Sequence, residues 1–305
     1  MPTKPPKGLF DPDFAKAGAK PLIEIVVNLL SEVRNYGIAL FAYRPEGADE
    51  NLAILLPFFH LLEMLDAIVV LTAECAPVPA RLQLRSVFEA LLTIEYITQT
   101  DTIQRAHAYL LADIIDRRAF YVKQDPNTSE GREFPEALAA DPDCQTMTLR
   151  DIPNLPRRIK NLDEIVAKAH YKDAFQEYLR VKGRRKFVQW YELYGGPKNR
   201  RELAAILKHS GSYEILYGAL SATAHAEDAV ARVLTQKEGG PAARPLRSSL
   251  EIATITSMAT NFAIEAARRL IRTYRPGEEQ AFEKWKAREV MPHWRRLDLS
   301  PTPVR

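Results

Sequence analysis

The spacing of apolar residues constrains this chain more than any other feature of its sequence. Between residues 21 and 42 the apolar side chains recur at steps of three and four, which is the period of an amphipathic helix. This first stripe consists of Leu22, Ile25, Val26, Leu29, Leu30 and Val33. The same period continues through most of the chain, and no run of alternating β-branched residues is long enough to build a sheet. The pattern predicts an all-α fold, a multi-helix bundle with a long irregular insertion and C-terminal helices.

Changes in composition divide this helical pattern into regions. We expect a loose N-terminal arm over residues 1–19, a helical bundle over 20–275, and a C-terminal helix and tail over 276–305. Within the bundle, the residues from about 124 to 157 are rich in Asp, Asn, Pro and Glu, a composition typical of irregular surface structure.

The periodicity predicts nine helices, whose ends are set by proline, glycine and polar residues. They cover about 21–42, 51–74, 80–100, 101–123, 161–182, 200–208, 211–236, 247–275 and 278–290. Pro57 predicts a kink or a restart inside the second helix, because proline lacks the N–H and clashes with the preceding turn. Asp101 is the expected cap of the fourth helix. The connection at 76–79 is so short that the second and third helices should be neighbours.

Cysteine content and hydropathy bear on the compartment. The chain has two cysteines, Cys75 and Cys144, which are too few and too far apart for a disulfide framework, so we expect a reduced, cytoplasmic setting. Polar side chains at helical spacing interrupt the most apolar stretch, residues 52–71; they are His60, Glu63 and Asp66. Because a membrane span needs about 20 residues with few or no charges, we expect no membrane partner.

The third predicted helix carries a charged pair. This helix is apolar over much of its circumference, which is typical of a buried helix. Arg85 and Glu89 lie four residues apart on it, so both should face inward or into a cleft. Two interpretations remain open: an internal salt bridge that ties helices together, or one part of a polar site.

A second polar pattern lies on the helix predicted over 211–236. Four of its residues follow strict four-residue spacing and form one stripe along one side of the helix. They are Tyr213, Tyr217, Ser221 and His225. His225 is a candidate general base near neutral pH, with Asp228 or Glu89 to orient its ring. The alternative is a core histidine that cross-links helices.

Metal and cofactor chemistry find less support in the sequence. A row of possible ligands on the second helix consists of His60, Glu63 and Asp66. Di-metal carboxylate bundles, however, need Glu-x-x-His pairs on two helices, and the chain has none in that order. A Gly-x-Ser-x-Gly elbow, a Walker loop and a dinucleotide fingerprint are also absent. We therefore expect no metal and no cofactor.

Positive charge is concentrated in one region, although the net charge is only +3. Residues 180–201, here called the basic segment, carry eight Lys or Arg and one acid, Glu192. Aromatic residues lie between its two basic clusters: Phe187, Trp190, Tyr191 and Tyr194. Phosphate neutralisation combined with base stacking holds single strands, which makes Arg184, Arg185 and Trp190 candidate contacts for RNA or a nucleotide. The alternative is a solvated surface whose aromatics anchor a loop.

Together these motifs resemble an all-helical bacterial family of unknown function that is grouped with defence-associated helical proteins. The likeness covers about residues 52–234. It rests on Arg-Ser-Val-Phe-Glu at 85–89, Trp-Tyr at 190–191, Arg-Glu-Leu-Ala at 201–204 and the Tyr-x3-Tyr-x3-Ser-x3-His stripe. The end of that stripe is similar to the Arg-x4-6-His element of the HEPN (higher eukaryotes and prokaryotes nucleotide-binding) ribonucleases.

The resemblance implies a characteristic polar set that consists of Arg85, Glu89, Ser221 and His225. No arginine lies four to six residues before His225, where the chain has Leu220, Ser221 and small residues. For a nuclease of this type, Arg85 would have to supply the cation from another helix.

Two function classes follow from these residues. In the first, Arg85, Glu89, Ser221 and His225 are catalytic in one cleft whose ligand carries phosphate. Tyr213 and Tyr217 bind that ligand, RNA or a nucleotide, and any reaction is a metal-independent nuclease or phosphodiesterase reaction. In the second class, the same residues form a structural hydrogen-bond network in a non-catalytic interaction or scaffold module. We expect a homo-oligomer.

Overall fold

The structure is a computed structural model that describes residues 12–42, 49–144, 152–224, 233–236, 240–243 and 245–297. Its helices are α1 (Pro12–Ala42), α2 (Asp49–Ala73), α3 (Pro77–Gln99), α4 (Thr102–Val122), α5 (Ser129–Ala140), α6 (Leu155–Val166), α7 (Ala169–Lys182), α8 (Arg200–Ile206), α9 (Ser210–Ala224), α10 (Ile252–Tyr274), α11 (Glu279–Trp285) and α12 (Met291–Trp294). A 3₁₀ segment lies at Trp190–Gly195 and a π segment at Lys286–Val290. The predicted all-α class is confirmed.

One small sheet accompanies the helices. The strands β1 (Val233–Gln236) and β2 (Gly240–Ala243) pair in antiparallel fashion, with Val233 opposite Ala243. Within the described ranges this hairpin is the only sheet.

The chain forms two compact units. The first unit consists of Met1–Thr100 and Ala204–Arg305, and the second of Asp101–Leu203. The sequence predicted one bundle over 20–275, because helical periodicity identifies the elements but not which of them pack together.

In the first unit, α3 is the central helix. α2, α9 and α10 each pack against it, and α1 packs against α2 and α10. The rings of Phe88 on α3 and Phe262 on α10 are both buried, with their centroids 5.0 Å apart. The expected neighbourhood of the second and third helices is thus observed, and α3 is the helix on which three others converge.

In the second unit, α4 has the corresponding role. α6, α7 and the 3₁₀ segment pack against it. One apolar cluster consists of Leu111, Val166, Tyr171 and Ala174. A second cluster consists of Ala108, Val181 and Leu193. The second unit therefore has its own small core along α4.

Three local features differ from their predictions. α1 begins at Pro12, inside the range 1–19 that was assigned to a loose arm, since the fixed φ of proline suits the first helical positions. α2 continues through Pro57 as one helix. Asp101 occupies the N-cap position of α4 with φ of 49°, but its side chain makes no capping hydrogen bond.

The region predicted as irregular, 124–157, contains α5 and the start of α6. Thr128 caps α5, because its hydroxyl accepts the N–H of Gly131 at 2.9 Å. Gly131 lies so close to the backbone of Asp125 that a Cβ there would be 1.8 Å from the carbonyl oxygen. The predicted helix over 161–182 is two helices, α6 and α7, so this part of the prediction was wrong.

The helix predicted over 211–236 is wrong at residues 233–236, and its residues 225–232 lie outside the described residues. α9 ends at Ala224, and Val233–Gln236 is strand β1. Val233 and Thr235 are β-branched and favour an extended backbone. Pairing with β2 supplies the hydrogen bonds that the helix would have made.

Two helices in the described residues are long and apolar enough to cross a membrane by length and composition alone, namely α2 and residues Ala15–Ala42 of α1. In α2, half of the apolar window is buried inside the structure. A core helix of a soluble protein has the same composition, and the absence of a membrane partner stays a prediction.

Candidate functional site

The charged pair predicted on α3 is present in the structure. Arg85 Nε donates to Glu89 Oε1 at 2.9 Å, as expected for residues one helical turn apart. Both side chains are partly accessible, with exposed fractions of 28% and 25%. The pair is therefore neither sealed in the core nor fully solvated.

The tyrosine stripe of α9 meets this pair. The hydroxyl of Tyr217 donates to Glu89 Oε1, and the guanidinium carbon of Arg85 lies 4.2 Å from the centroid of the Tyr217 ring. The ring of Tyr213 stacks on that of Tyr217, with centroids 4.3 Å apart and an interplanar angle of 14°. We call Arg85, Glu89, Tyr213 and Tyr217 the α3–α9 cluster.

The cluster holds the guanidinium of Arg85 in one orientation. The Glu89 carboxylate fixes Nε, and the face of the Tyr217 ring fixes the guanidinium plane by a cation–π contact. Among the described residues, neither terminal nitrogen of Arg85 has a hydrogen-bond partner. These nitrogens are the donors that bind carboxylates and phosphates in a bidentate manner.

Two members of the predicted site have no described side chain. Ser221 lies in α9 one turn beyond Tyr217, but its side chain is outside the described residues, and so is all of His225. The structure brings together Arg85, Glu89, Tyr213 and Tyr217. The roles assigned to Ser221 and His225 remain predictions.

A second polar cluster on α3, centred on Glu95, was not predicted from the sequence. The side chain of Glu95 is only 5% exposed; its Oε2 lies 2.7 Å from His209 Nε2, and its Oε1 lies 3.5 Å from Arg269 Nε. His209 precedes α9, and its carbonyl accepts the Tyr213 N–H. The sequence contains one indication of this cluster: Glu95 stands in an otherwise apolar run, and a buried carboxylate needs a cation. The partners could not be read from the sequence.

A third contact ties α3 to the residue before α10. Arg81 Nε lies 3.1 Å from Glu251 Oε2. Arg81, Glu89 and Glu95 are spread along much of α3. Each of them makes a polar contact with a residue far away in the sequence. The central helix is thus joined to its neighbours by charge as well as by apolar packing.

The basic segment of the second unit is partly neutralised. Arg185 Nη1 lies 2.9 Å from Oε1 of Glu192, a buried side chain. Arg180 donates two hydrogen bonds to Glu177, at 2.6 and 2.7 Å, and these hold the pKa of that carboxyl below its usual value. The candidate contact Arg184 is exposed.

The aromatics of this segment have different surroundings. Trp190 makes an edge contact with Tyr109, with centroids 5.2 Å apart, and Tyr191 is buried. Phe187 is 74% exposed. Trp190 and Tyr191 therefore anchor the segment to the second unit, whereas Phe187 faces solvent.

Among the described residues, no three His, Cys, Asp or Glu side chains lie close enough together to hold a metal ion. In the row on α2, His60 Nδ1 lies 3.9 Å from Glu63 Oε2, and Asp66 pairs with Arg34 instead.

Comparison with known proteins gives one match. A search of curated proteins and a search of solved structures each returned no match. Residues 51–241, from α2 to β2, match the model of a family described as Family of unknown function (DUF5677). Because the match covers more than half of the chain, this protein belongs to that family.

Proposed function

We propose that the α3–α9 cluster binds a phosphate-bearing ligand, a nucleotide or RNA, through the guanidinium of Arg85. The observation that carries the proposal is the state of that guanidinium. It is oriented by Glu89 and Tyr217, it is 28% exposed, and its terminal nitrogens are without hydrogen bonds in the described part of the chain.

An arginine side chain that is already oriented binds an anion more tightly than a freely rotating one. A free arginine side chain loses rotamer entropy when it binds an anion, about 0.5–1.5 kcal/mol for one such side chain. In the cluster the contacts with Glu89 and Tyr217 have already fixed Arg85. The negative charge of Glu89 is offset by its two donors, Arg85 and Tyr217, which reduces its repulsion of a phosphate.

The catalytic version of the proposal adds the end of α9. Ser221 and His225 continue the stripe of Tyr213 and Tyr217 at four-residue spacing. In a ribonuclease reaction of HEPN type, His225 takes the proton from a ribose 2′-OH, whose oxygen attacks the adjacent phosphorus. A 2′,3′-cyclic phosphate forms, the P–O5′ bond breaks, and the leaving 5′-oxygen takes a proton from water. Arg85 stabilises the charge that develops on the phosphate.

A structural role for the same residues is the second candidate, and the Glu95 cluster favours it. There a carboxylate of α3 is bound by His209 and Arg269 and is almost completely buried. If Glu89 serves the same purpose, the α3–α9 cluster is a further tie between helices in a non-catalytic, oligomeric interaction module.

We also propose a cytoplasmic location. Cys75 and Cys144 are both free thiols, which suits a reducing compartment. Assignment to a defence pathway rests only on the resemblance of the sequence motifs.

Binding and cleavage assays separate the two candidates. The purified protein is mixed with pooled RNA, single-stranded DNA and nucleotides at low salt, beside Arg85→Gln, His225→Ala and the control Arg117→Gln. Arg117 is an exposed arginine of α4 that pairs with Asp113. We expect Arg85→Gln to weaken binding at least tenfold, because a charge-assisted hydrogen bond is lost, and Arg117→Gln to leave it unchanged.

The histidine variant decides whether the protein is an enzyme. Loss of cleavage with retained binding in His225→Ala supports the catalytic version. Binding without cleavage in the wild type leaves a ligand-binding module. If neither binding nor cleavage occurs, the phosphate proposal is wrong and the structural role is retained.

A further inference from the structure

A cavity of about 290 Å³ lies inside the second unit. Its walls come from α4, the end of α7 and the residues 186–193. Ala108 and Ala112, one turn apart on α4, line it with methyl groups where larger side chains would fill it. The volume is at the lower end of the range for small-molecule sites, roughly 300–1,000 Å³, so it suits one small ligand rather than a length of chain.

Most of the lining is apolar or aromatic. Leu111 of α4 and Leu193 are buried beneath it. The Trp190 ring is held at the cavity by its edge contact with Tyr109. Phe187, which is 74% exposed, also lines the cavity. An aromatic side chain left this exposed beside a concave site offers a face that a planar ligand would cover.

The charged lining is mostly positive. Lys182 and Lys186 both line the cavity, with Asp116 as the single carboxylate. Lys182 Nζ donates to the carbonyl of Lys186 at 2.6 Å, and Lys186 Nζ lies 5.6 Å from the Phe187 ring centroid. Neither lysine forms an ion pair with any described residue.

The neutralisation of the basic segment is therefore selective. Its arginines Arg180 and Arg185 are paired with carboxylates, whereas the two lysines at the cavity form no ion pair with a described residue. Two cations that line a cavity and form no ion pair with its single carboxylate are suited to an anionic ligand.

We propose that this cavity binds a nucleoside monophosphate, with its phosphate at Lys182 and Lys186 and its base against Trp190 and Phe187. Stacking on an aromatic ring contributes about 1–3 kcal/mol per base. Asp116 and Gln189, also in the lining, offer oxygens to the amino group of a base. The nucleotide is either free in solution or the phosphorylated end of a strand.

The proposal does not depend on the α3–α9 cluster, because the two share no residue. Unchanged nucleotide binding in Arg85→Gln would contradict the cluster proposal alone, and unchanged AMP binding in Lys182→Ala/Lys186→Ala would contradict the cavity proposal alone. Absence of any nucleotide binding to the wild type would contradict both.

Titration of the full-length protein with AMP tests the proposal. Calorimetry measures affinity, with adenosine and inorganic phosphate as partial ligands. The double variant Lys182→Ala/Lys186→Ala removes the cations, Ala112→Phe fills the cavity, and Lys172→Ala, an exposed lysine of α7 outside the lining, is the matched control. We expect AMP to bind, each test variant to weaken it at least tenfold, and the control to match the wild type.

Several results would overturn the proposal. These are absence of AMP binding to the wild type, equal binding to the double lysine variant, and equal binding to Ala112→Phe with a native circular dichroism spectrum. Because both lysines are exposed, their variant tests the proposal even if Ala112→Phe does not fold. A 5′-phosphorylated oligonucleotide identifies the source: binding tighter than AMP that is lost in the same variants points to a strand end, and weaker binding points to the free nucleotide.

Discussion

The Glu95 cluster of the first unit and the basic segment of the second unit use ionic contacts in opposite ways. In the first unit, the buried Glu95 on α3 binds His209, a residue 114 positions away in the sequence. In the basic segment of the second unit, two pairs are local: Arg180 and Glu177 are three residues apart, and Arg185 and Glu192 are seven residues apart.

The difference concerns what each contact holds in place. A pair between distant residues fixes how helices pack, and its carboxylate becomes buried between them. A local pair fixes only one turn of a helix or the path of a loop, and at least one partner stays exposed. The first kind should matter most for stability, and the second kind leaves neighbouring cations accessible to a ligand.

Glu95→Ala should give the largest effect. Removing the carboxylate leaves His209 and Arg269 without their partner in a partly buried setting, which we expect to cost about 3 kcal/mol of unfolding free energy. Urea denaturation measures it. The control is Glu63→Ala on α2, whose side chain is 54% exposed, with an expected change below about 0.5 kcal/mol. Equal losses of unfolding free energy in the two variants would show that the buried Glu95 contact stabilises the fold no more than an exposed side chain does.

Arg185→Ala should have a smaller effect. Arg185 is 41% exposed, and its partner Glu192 is 9% exposed, so we expect a loss of about 1 kcal/mol. A double-mutant cycle with Glu192→Gln isolates the pair. A coupling energy near zero would show that the pair does not hold the loop.

The contribution of the Arg180–Glu177 pair to stability should depend on pH. The two hydrogen bonds from Arg180 lower the pKa of Glu177, with a further contribution from the Tyr194 N–H. A carboxyl with a lowered pKa stabilises the fold above its unfolded pKa of about 4.3, and this contribution is lost as the pH falls through the folded pKa.

We therefore expect the free energies of unfolding of the wild type and of Glu177→Gln to differ by less than about 1 kcal/mol at pH 7. The difference should shrink towards pH 3. Urea titrations at both pH values measure this difference. A gap that widens in acid would contradict the assigned direction of the pKa.

Arg184 should have no measurable effect on stability. It is exposed, so Arg184→Ala should leave the melting temperature unchanged. If the basic segment binds single strands, the slope of log K against log salt should become shallower by about 0.7 for each phosphate contact that is lost. An unchanged slope would show that Arg184 belongs to the solvated surface and does not contact the strand. Replacement of Arg185, unlike that of Arg184, should lower the melting temperature.

The sequence predicted what depends on near neighbours. Helical period predicted the all-α class, and four-residue spacing placed Arg85 beside Glu89 and Tyr213 beside Tyr217. The failures have local causes as well. The composition of residues 124–157 predicted irregular structure in place of α5, because the cap of this helix, Thr128, lies among turn-forming residues. The small residues after Tyr217 are compatible with a helix, so the predicted helix ran on into β1.

Only the tertiary structure decided which of these features meet. Tyr217 donates to Glu89 across 128 residues of sequence, and the Glu95 cluster joins α3 to His209 and to α10. The cavity of the second unit likewise needs α4 beside the end of α7. A helix forms from bonds between residues four positions apart, so its faces can be read from the sequence. Contacts between helices depend on the path of the whole chain, and single-sequence periodicity carries no record of that path.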